Sequence, residues 1–239
     1  DFYLYQIAYA FFQLGDYSQA GGHFNEFIEK GGDEELIIDS YLRLGDSYFA
    51  LSNYFKAIPP YQKVIEANQK DTDYAQLQIA FCQGFMGQND EKVSSLKNFT
   101  EVNLKSPLRD DAFYELGNTY VKMNQADKAL EAYDKVVSNY RMSSLVPKAL
   151  LKQGLVYFNR DQAEAALGKY KEVITRYPGT EDSKEAVANA KQIYMDLGRV
   201  DEYERFINNV DFVTVSDDEI ETTMYASAEK FYLTGNFEK

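Results

Sequence analysis

Apolar positions recur along this chain every three or four residues, in stretches separated by short polar turns. That is the spacing of one face of an α-helix, and it predicts an all-α protein of short amphipathic helices. Three stretches align without gaps: LGDSYFALSNYFKAIPPY, LGNTYVKMNQADKALEAY and QGLVYFNRDQAEAALGKY. Each has a small residue, an aromatic three later, a polar turn four beyond that, an alanine five further on and a tyrosine after another four. The first stretch of the chain, IAYAFFQLGDYSQAGGHF, keeps the spacing with Phe in the last slot.

This register runs through the chain. The small slot of the first helix holds Ala8, Gly45, Ala80, Gly117, Gly154, Lys191 and Ala228. The turn holds Gly15, Ser52, Gly87, Asn124, Asp161, Gly198 and Gly235. The second helix has a small slot at Ala20, Ala57, Lys92, Ala129, Ala166 and Tyr203, then an apolar slot at Phe24, Tyr61, Leu96, Tyr133, Tyr170 and Ile207. Repeats start near residues 1, 38, 73, 110, 147, 184 and 221, mostly 37 apart. Six hairpins and a seventh cut in its second helix are expected, in an excised or trimmed segment of something longer.

Several places break the pattern. Pro59 and Pro60 fall inside a second helix, where proline removes a backbone donor and clashes with the preceding turn, so a late start or a kink is expected. Gly21-Gly22 should loosen the second helix of the first repeat, and Gly31-Gly32 should end it. Residues 208–220 are β-branched and acidic with no helical period, and read as an extended linker. Ser216 with Glu219 reads as a capping box that opens the next helix. The expected organisation is a repeat array over 1–207, a linker over 208–220, and a further repeat beginning at 221–239.

In-phase recurrence of these slots resembles the tetratricopeptide repeat (TPR) over nearly the whole chain. The resemblance implies a right-handed superhelical solenoid of antiparallel helix hairpins, about six and a half of them, in which each hairpin buries its apolar face on its neighbours. A spacing near 37 departs from the family unit of about 34. The third repeat is degenerate, with Gln83, Asn89 and Lys92 in apolar or small slots, and the sixth is weak at Lys191 and Tyr203. The phrase VITRYPGTEDS, echoed by VVSNYRMSS, is similar in style to TPR arrays of bacterial cell-envelope proteins, the outer-membrane-assembly lipoproteins of the BamD type and the Tol-Pal periplasmic proteins. That similarity implies a periplasmic or outer-membrane-associated protein.

Charge narrows the partners. The net charge is −13, so phosphate backbones are repelled and nucleic acid is not an expected partner, while basic segments are attracted. No apolar run approaches the roughly 18 residues of a membrane span. Catalytic chemistry finds no constellation to stand on. His23 and Cys82 are single, so there is no zinc cluster and no intrachain disulfide, and neither a phosphate loop nor a nucleophile elbow is present. The acidic pairs Asp110-Asp111, Glu181-Asp182 and Asp217-Asp218 fall at helix starts, where they complement the helix dipole. No cofactor and no metal are expected, and the protein reads as a non-enzyme.

What the resemblance implies for binding is the concave face, lined by residues flanking the small slot of each first helix. Here these include Tyr5, Tyr9, Phe12, Asp46, Phe49, Leu77, Phe81, Phe85, Tyr114, Asn118, Leu155 and Phe158. Family members that clamp a C-terminal carboxylate use Lys, Asn and Arg there. Only Asn118 is of that type, without a Lys one turn earlier, so an aromatic groove for an apolar or basic protein segment is expected instead. Core packing of the same aromatics is the competing reading. An alternative role is a structural subunit of an envelope-assembly complex. The oligomeric state is not set by the sequence.

Overall fold

The computed structural model describes residues 2–233, and Gly235 with the second helix of the seventh repeat lies outside the described residues. The described residues form thirteen α-helices and no strands. They fall into two compact units, Asp1–Asn124 and Gln125–Lys239.

In the first unit α1 (Phe2–Gln13) pairs with α2 (Tyr17–Lys30), α3 (Glu34–Ala50) with α4 (Tyr54–Ala67), and α5 (Thr72–Phe85) with α6 (Asn89–Val102). Helix α7 (Arg109–Lys122) follows and packs on α6. Each second helix therefore lies between the first helix of its own hairpin and that of the next. The second unit repeats the scheme with α8 (Ala126–Asn139), α9 (Leu145–Phe158), α10 (Ala163–Arg176), α11 (Glu181–Asp196), the short α12 (Val200–Ile207) and α13 (Asp217–Leu233).

The apolar slots of the second helices are the core. Phe24, Tyr61, Leu96, Tyr133, Tyr170 and Ile207 are all buried. So are Phe27, Val64, Phe99, Val136, Val173 and Val210, one turn on. The small slots explain how the helices close on them. A Cβ added at Gly45 would sit 2.7–2.9 Å from ring atoms of Tyr61, and one at Gly154 would sit 2.5–3.0 Å from the ring of Tyr170. The ring of the second helix thus lies directly on the backbone of the first.

Turn slots share one conformation. Gly15, Ser52, Gly87, Asn124, Asp161 and Gly198 all have φ between 55 and 78°. This left-handed residue ends the first helix and reverses the chain, and L residues pay for it sterically. Some helix starts are capped by side chains. The Asp33 carboxylate accepts from the Glu35 and Leu36 amides (3.0 and 3.2 Å), and the Thr180 hydroxyl accepts from Ser183 N (3.2 Å).

Four local expectations change. Helix α4 starts at Tyr54, ahead of Pro59 and Pro60, and contains both. The carbonyls that lose their donors belong to Phe55 and Lys56, both exposed, where solvent can replace the missing bonds. Helix α2 runs unbroken through Gly21-Gly22 because Gly21 is buried against Leu44 and Ser47 of α3, while Gly31 ends it at φ 73°. The irregular stretch closes at Ser216, whose hydroxyl accepts from Glu219 N (3.2 Å). Glu219 does not complete the capping box; its carboxylate pairs with Lys191 (2.9 Å). In α13 the buried small position is Ser227, bonded to the Met195 carbonyl (2.8 Å), and Ala228 is exposed.

The turns give a direct test. An added methyl at Gly87 meets nothing within 4 Å. Gly87→Ala should therefore cost about 1 kcal/mol for its backbone angle alone. Ser52→Gly relieves the same strain and should shift the urea midpoint the other way.

Candidate functional site

Four helices of the first unit frame an open groove of about 500 Å³. Phe49 comes from the end of α3; Gln78, Phe81, Gly84 and Phe85 from α5; Lys92 from α6; Glu115 and Lys122 from α7. First helices end at their left-handed turns, so the last-turn residues Phe49 and Phe85 reach the same rim. Phe85 stacks on Tyr54 with ring centroids 4.7 Å apart and meets Phe49 edge-on at 5.7 Å. It nonetheless remains 62% exposed.

A charged pair crosses the apolar floor. Lys92 Nζ lies 2.7 Å from Glu115 Oε2 and 5.6 Å above the Phe81 ring. Asn118 Nδ2 donates to the other Glu115 oxygen at 2.9 Å. Only 12% of the Lys92 side chain is exposed, so this pair is shielded from solvent and is worth more than a surface ion pair. Gly84 makes room for it: a Cβ there would sit 2.7 Å from Lys92 Cδ. The degenerate third repeat thus replaces a small-slot alanine by a lysine that reaches across α5 to α7.

Of the residues expected on the concave face, Phe49, Phe81 and Phe85 converge on this groove, and Asn118 joins it through Glu115. Tyr114 is half-buried on α7. Tyr5, Tyr9 and Phe12 form a separate aromatic row on α1. The Tyr5 hydroxyl donates to Asp39 (2.8 Å), its ring stacks on Tyr9 at 6.0 Å, and Arg43 lies 5.7 Å over Phe12. Leu155, exposed, and Phe158, half-buried, belong to the second unit. Leu77 is a core residue at 4% exposure and offers a partner no surface.

Asp46 is turned inward as well. Its carboxylate accepts from Tyr61 (2.9 Å), Tyr74 (3.1 Å) and Arg43 (3.1 Å). Burial raises its pKa above the usual carboxylate value, although all three donors act in the opposite direction. Asp46 therefore joins α3, α4 and α5 rather than facing a ligand. Sequence reasoning missed Lys92, Glu115, Gln78 and Lys122 as groove residues; Lys92 was visible only as a departure from the repeat.

The groups that could carry chemistry are occupied structurally. Cys82 is fully buried, and burial pushes its thiol pKa up to about 12. His23 stacks on Phe11 at 5.5 Å. Among the described residues no group of His, Cys, Asp and Glu could hold a metal ion, and no helix is long and apolar enough to cross a membrane.

The tetratricopeptide-repeat family profile matches residues 5–72 and 114–180. No curated protein sequence matches the chain. Among solved structures, a tetratricopeptide repeat protein from Parabacteroides merdae ATCC 43184 is 14% identical, with a TM-score of 0.65 over 98% of this chain and 87% of that one. MamA is 20% identical, with a TM-score of 0.56 over 84% of this chain and 96% of that one. YrrB, described as a TPR protein with an unusual peptide-binding site, is 16% identical, with a TM-score of 0.57 over 77% and 89%. At these identities the likeness is one of fold.

Two measurements separate structural from binding roles. Asp46→Ala removes the acceptor of the Tyr61 and Tyr74 hydroxyls and one of the two carboxylates paired with Arg43, the other being Asp39, and should cost about 1–3 kcal/mol in urea unfolding. Cys82 should resist a thiol reagent in the native protein and react at once when denaturant exposes it.

Proposed function

Because the chain belongs to the tetratricopeptide repeat family, we propose that it is a non-catalytic scaffold holding a segment of a partner protein in the Phe49–Phe81–Phe85 groove. The observation that carries this reading is Phe85, a phenylalanine left 62% exposed over an apolar groove. Exposed aromatics around a concavity are the usual anchors of protein interfaces. An apolar side chain of the partner fits between Phe85 and Phe81. Polar groups beside it meet Lys122, which has no ion pair among the described residues, and the Lys92–Glu115 pair. The net charge of −13 favours approach of a basic segment.

A second reading, a subunit of a bacterial envelope-assembly complex, draws on one observation. In the YPGT turn Gly179 is left-handed and Thr180 caps α11, so this phrase, similar in style to envelope TPR arrays, is a working helix-to-helix joint. Recovery of the native protein from the cytoplasmic fraction alone would overturn that reading.

Phe85→Asp should abolish partner capture in pull-downs with helicity unchanged, since the side chain is already largely exposed. Phe55→Asp, at a still more exposed phenylalanine on α4, should leave capture intact. Capture that survives both Phe85→Asp and Phe81→Asp would place the site elsewhere.

A further inference from the structure

The charged groups that line the groove of the first unit are two lysines, Lys92 and Lys122, and one carboxylate, Glu115. Both oxygens of that carboxylate are engaged. Oε2 accepts from Lys92 Nζ at 2.7 Å and Oε1 accepts from Asn118 Nδ2 at 2.9 Å. An ammonium carries three N–H donors and no acceptor. Lys92 gives one donor to Glu115 and holds its charge 5.6 Å over the Phe81 ring. Lys122, exposed in the last turn of α7, has no hydrogen bond and no ion pair among the described residues.

The lining is therefore positive in a chain whose net charge is −13. The local sign governs contact, because at physiological ionic strength exposed charges more than roughly 8 Å apart are largely screened. A partner residue that seats an apolar side chain between Phe85 and Phe81 carries its chain neighbours past these lysines. A cation beside that anchor meets two ammonium groups, and the one carboxylate it could pair with is already taken. A carboxylate there meets N–H donors that lack an acceptor.

Resting on the function proposed for this groove, we infer that its occupant is a partner segment in which Asp or Glu flanks the large apolar residue, with the carboxylate paired to Lys122 and Lys92. The carboxylate is a side chain's. Asn118, the residue type that clamps a chain end, is committed to Glu115. Farther from the anchor the net charge of −13 favours basic residues, so the acidic contact is confined to the positions beside the apolar side chain.

The probe is a library of random peptides displayed as internal segments, so that no terminal carboxylate competes, selected on the native chain and counter-selected on Phe85→Asp. Peptides that survive should carry Asp or Glu beside a large apolar residue. For one of them, labelled and followed by fluorescence anisotropy, Lys122→Glu should weaken binding at least about fivefold with helicity unchanged, and Lys122→Arg should keep it. Replacing the acidic residue of the peptide by its amide should weaken binding to the native chain and strengthen it to Lys122→Glu. Peptides that need Phe85 but show no acidic preference, or that bind Lys122→Glu as well as the native chain, overturn the proposal and leave the groove as the partner site. A library that yields no peptide dependent on Phe85 overturns both.

Discussion

Contact between a residue without a side chain and a tyrosine ring is the constraint on which each unit rests. Gly45 against Tyr61 and Gly154 against Tyr170 bring the two helices of a hairpin so close that a methyl group would overlap the ring. The consequences spread from there. With Tyr61 laid on the α3 backbone, its hydroxyl reaches Asp46, the residue after Gly45, and Tyr74 of α5 reaches the same carboxylate. A packing contact within one hairpin thereby sets a polar junction that includes the next. Losing a buried aromatic of this kind costs about 3–5 kcal/mol, a large share of the roughly 5–15 kcal/mol that stabilises a domain.

The groove opens at the degenerate third repeat, where the ring slot holds Leu96 in place of a tyrosine. At Lys92 the small slot of α6 carries a long side chain, and α5 presents Ala80 and Gly84 on the facing side. The lysine stem crosses at Gly84, and its ammonium is spent on Glu115. Leu96 in the ring slot is buried, and the ion pair lies beneath exposed aromatics.

Much of the fold was legible because it repeats. Each slot was seen several times, so its small, turn and apolar character stood out even where one residue departed, as Ser52 and Asp161 do in left-handed turns. Capping was legible at Ser216, whose hydroxyl accepts from Glu219 N. Pro59-Pro60 misled because the penalty depends on where the orphaned carbonyls point, and here they belong to exposed residues. The register in α13 misled because Ser227 and Ala228 are both small, and only the bond to Met195 chooses between them. The groove was half legible. Phe49, Phe81 and Phe85 follow from helical phase, but Glu115 and Lys122 lie on a different repeat from Lys92, and no local pattern announces a pair across that distance. Asp46 and Leu77 share the phase of the groove residues yet face inward, since phase gives a direction and not the depth of what covers it.

The central claim, that ring-on-backbone contact holds the hairpins together, is tested most directly by a double-mutant cycle at one of them. Gly154→Ala alone should destabilise the protein by about 1–3 kcal/mol through overlap with the ring. In a Tyr170→Leu background the same methyl has room, and its cost should fall by at least about 1 kcal/mol in equilibrium unfolding. An equal cost in both backgrounds, to within about 0.5 kcal/mol, would contradict the account.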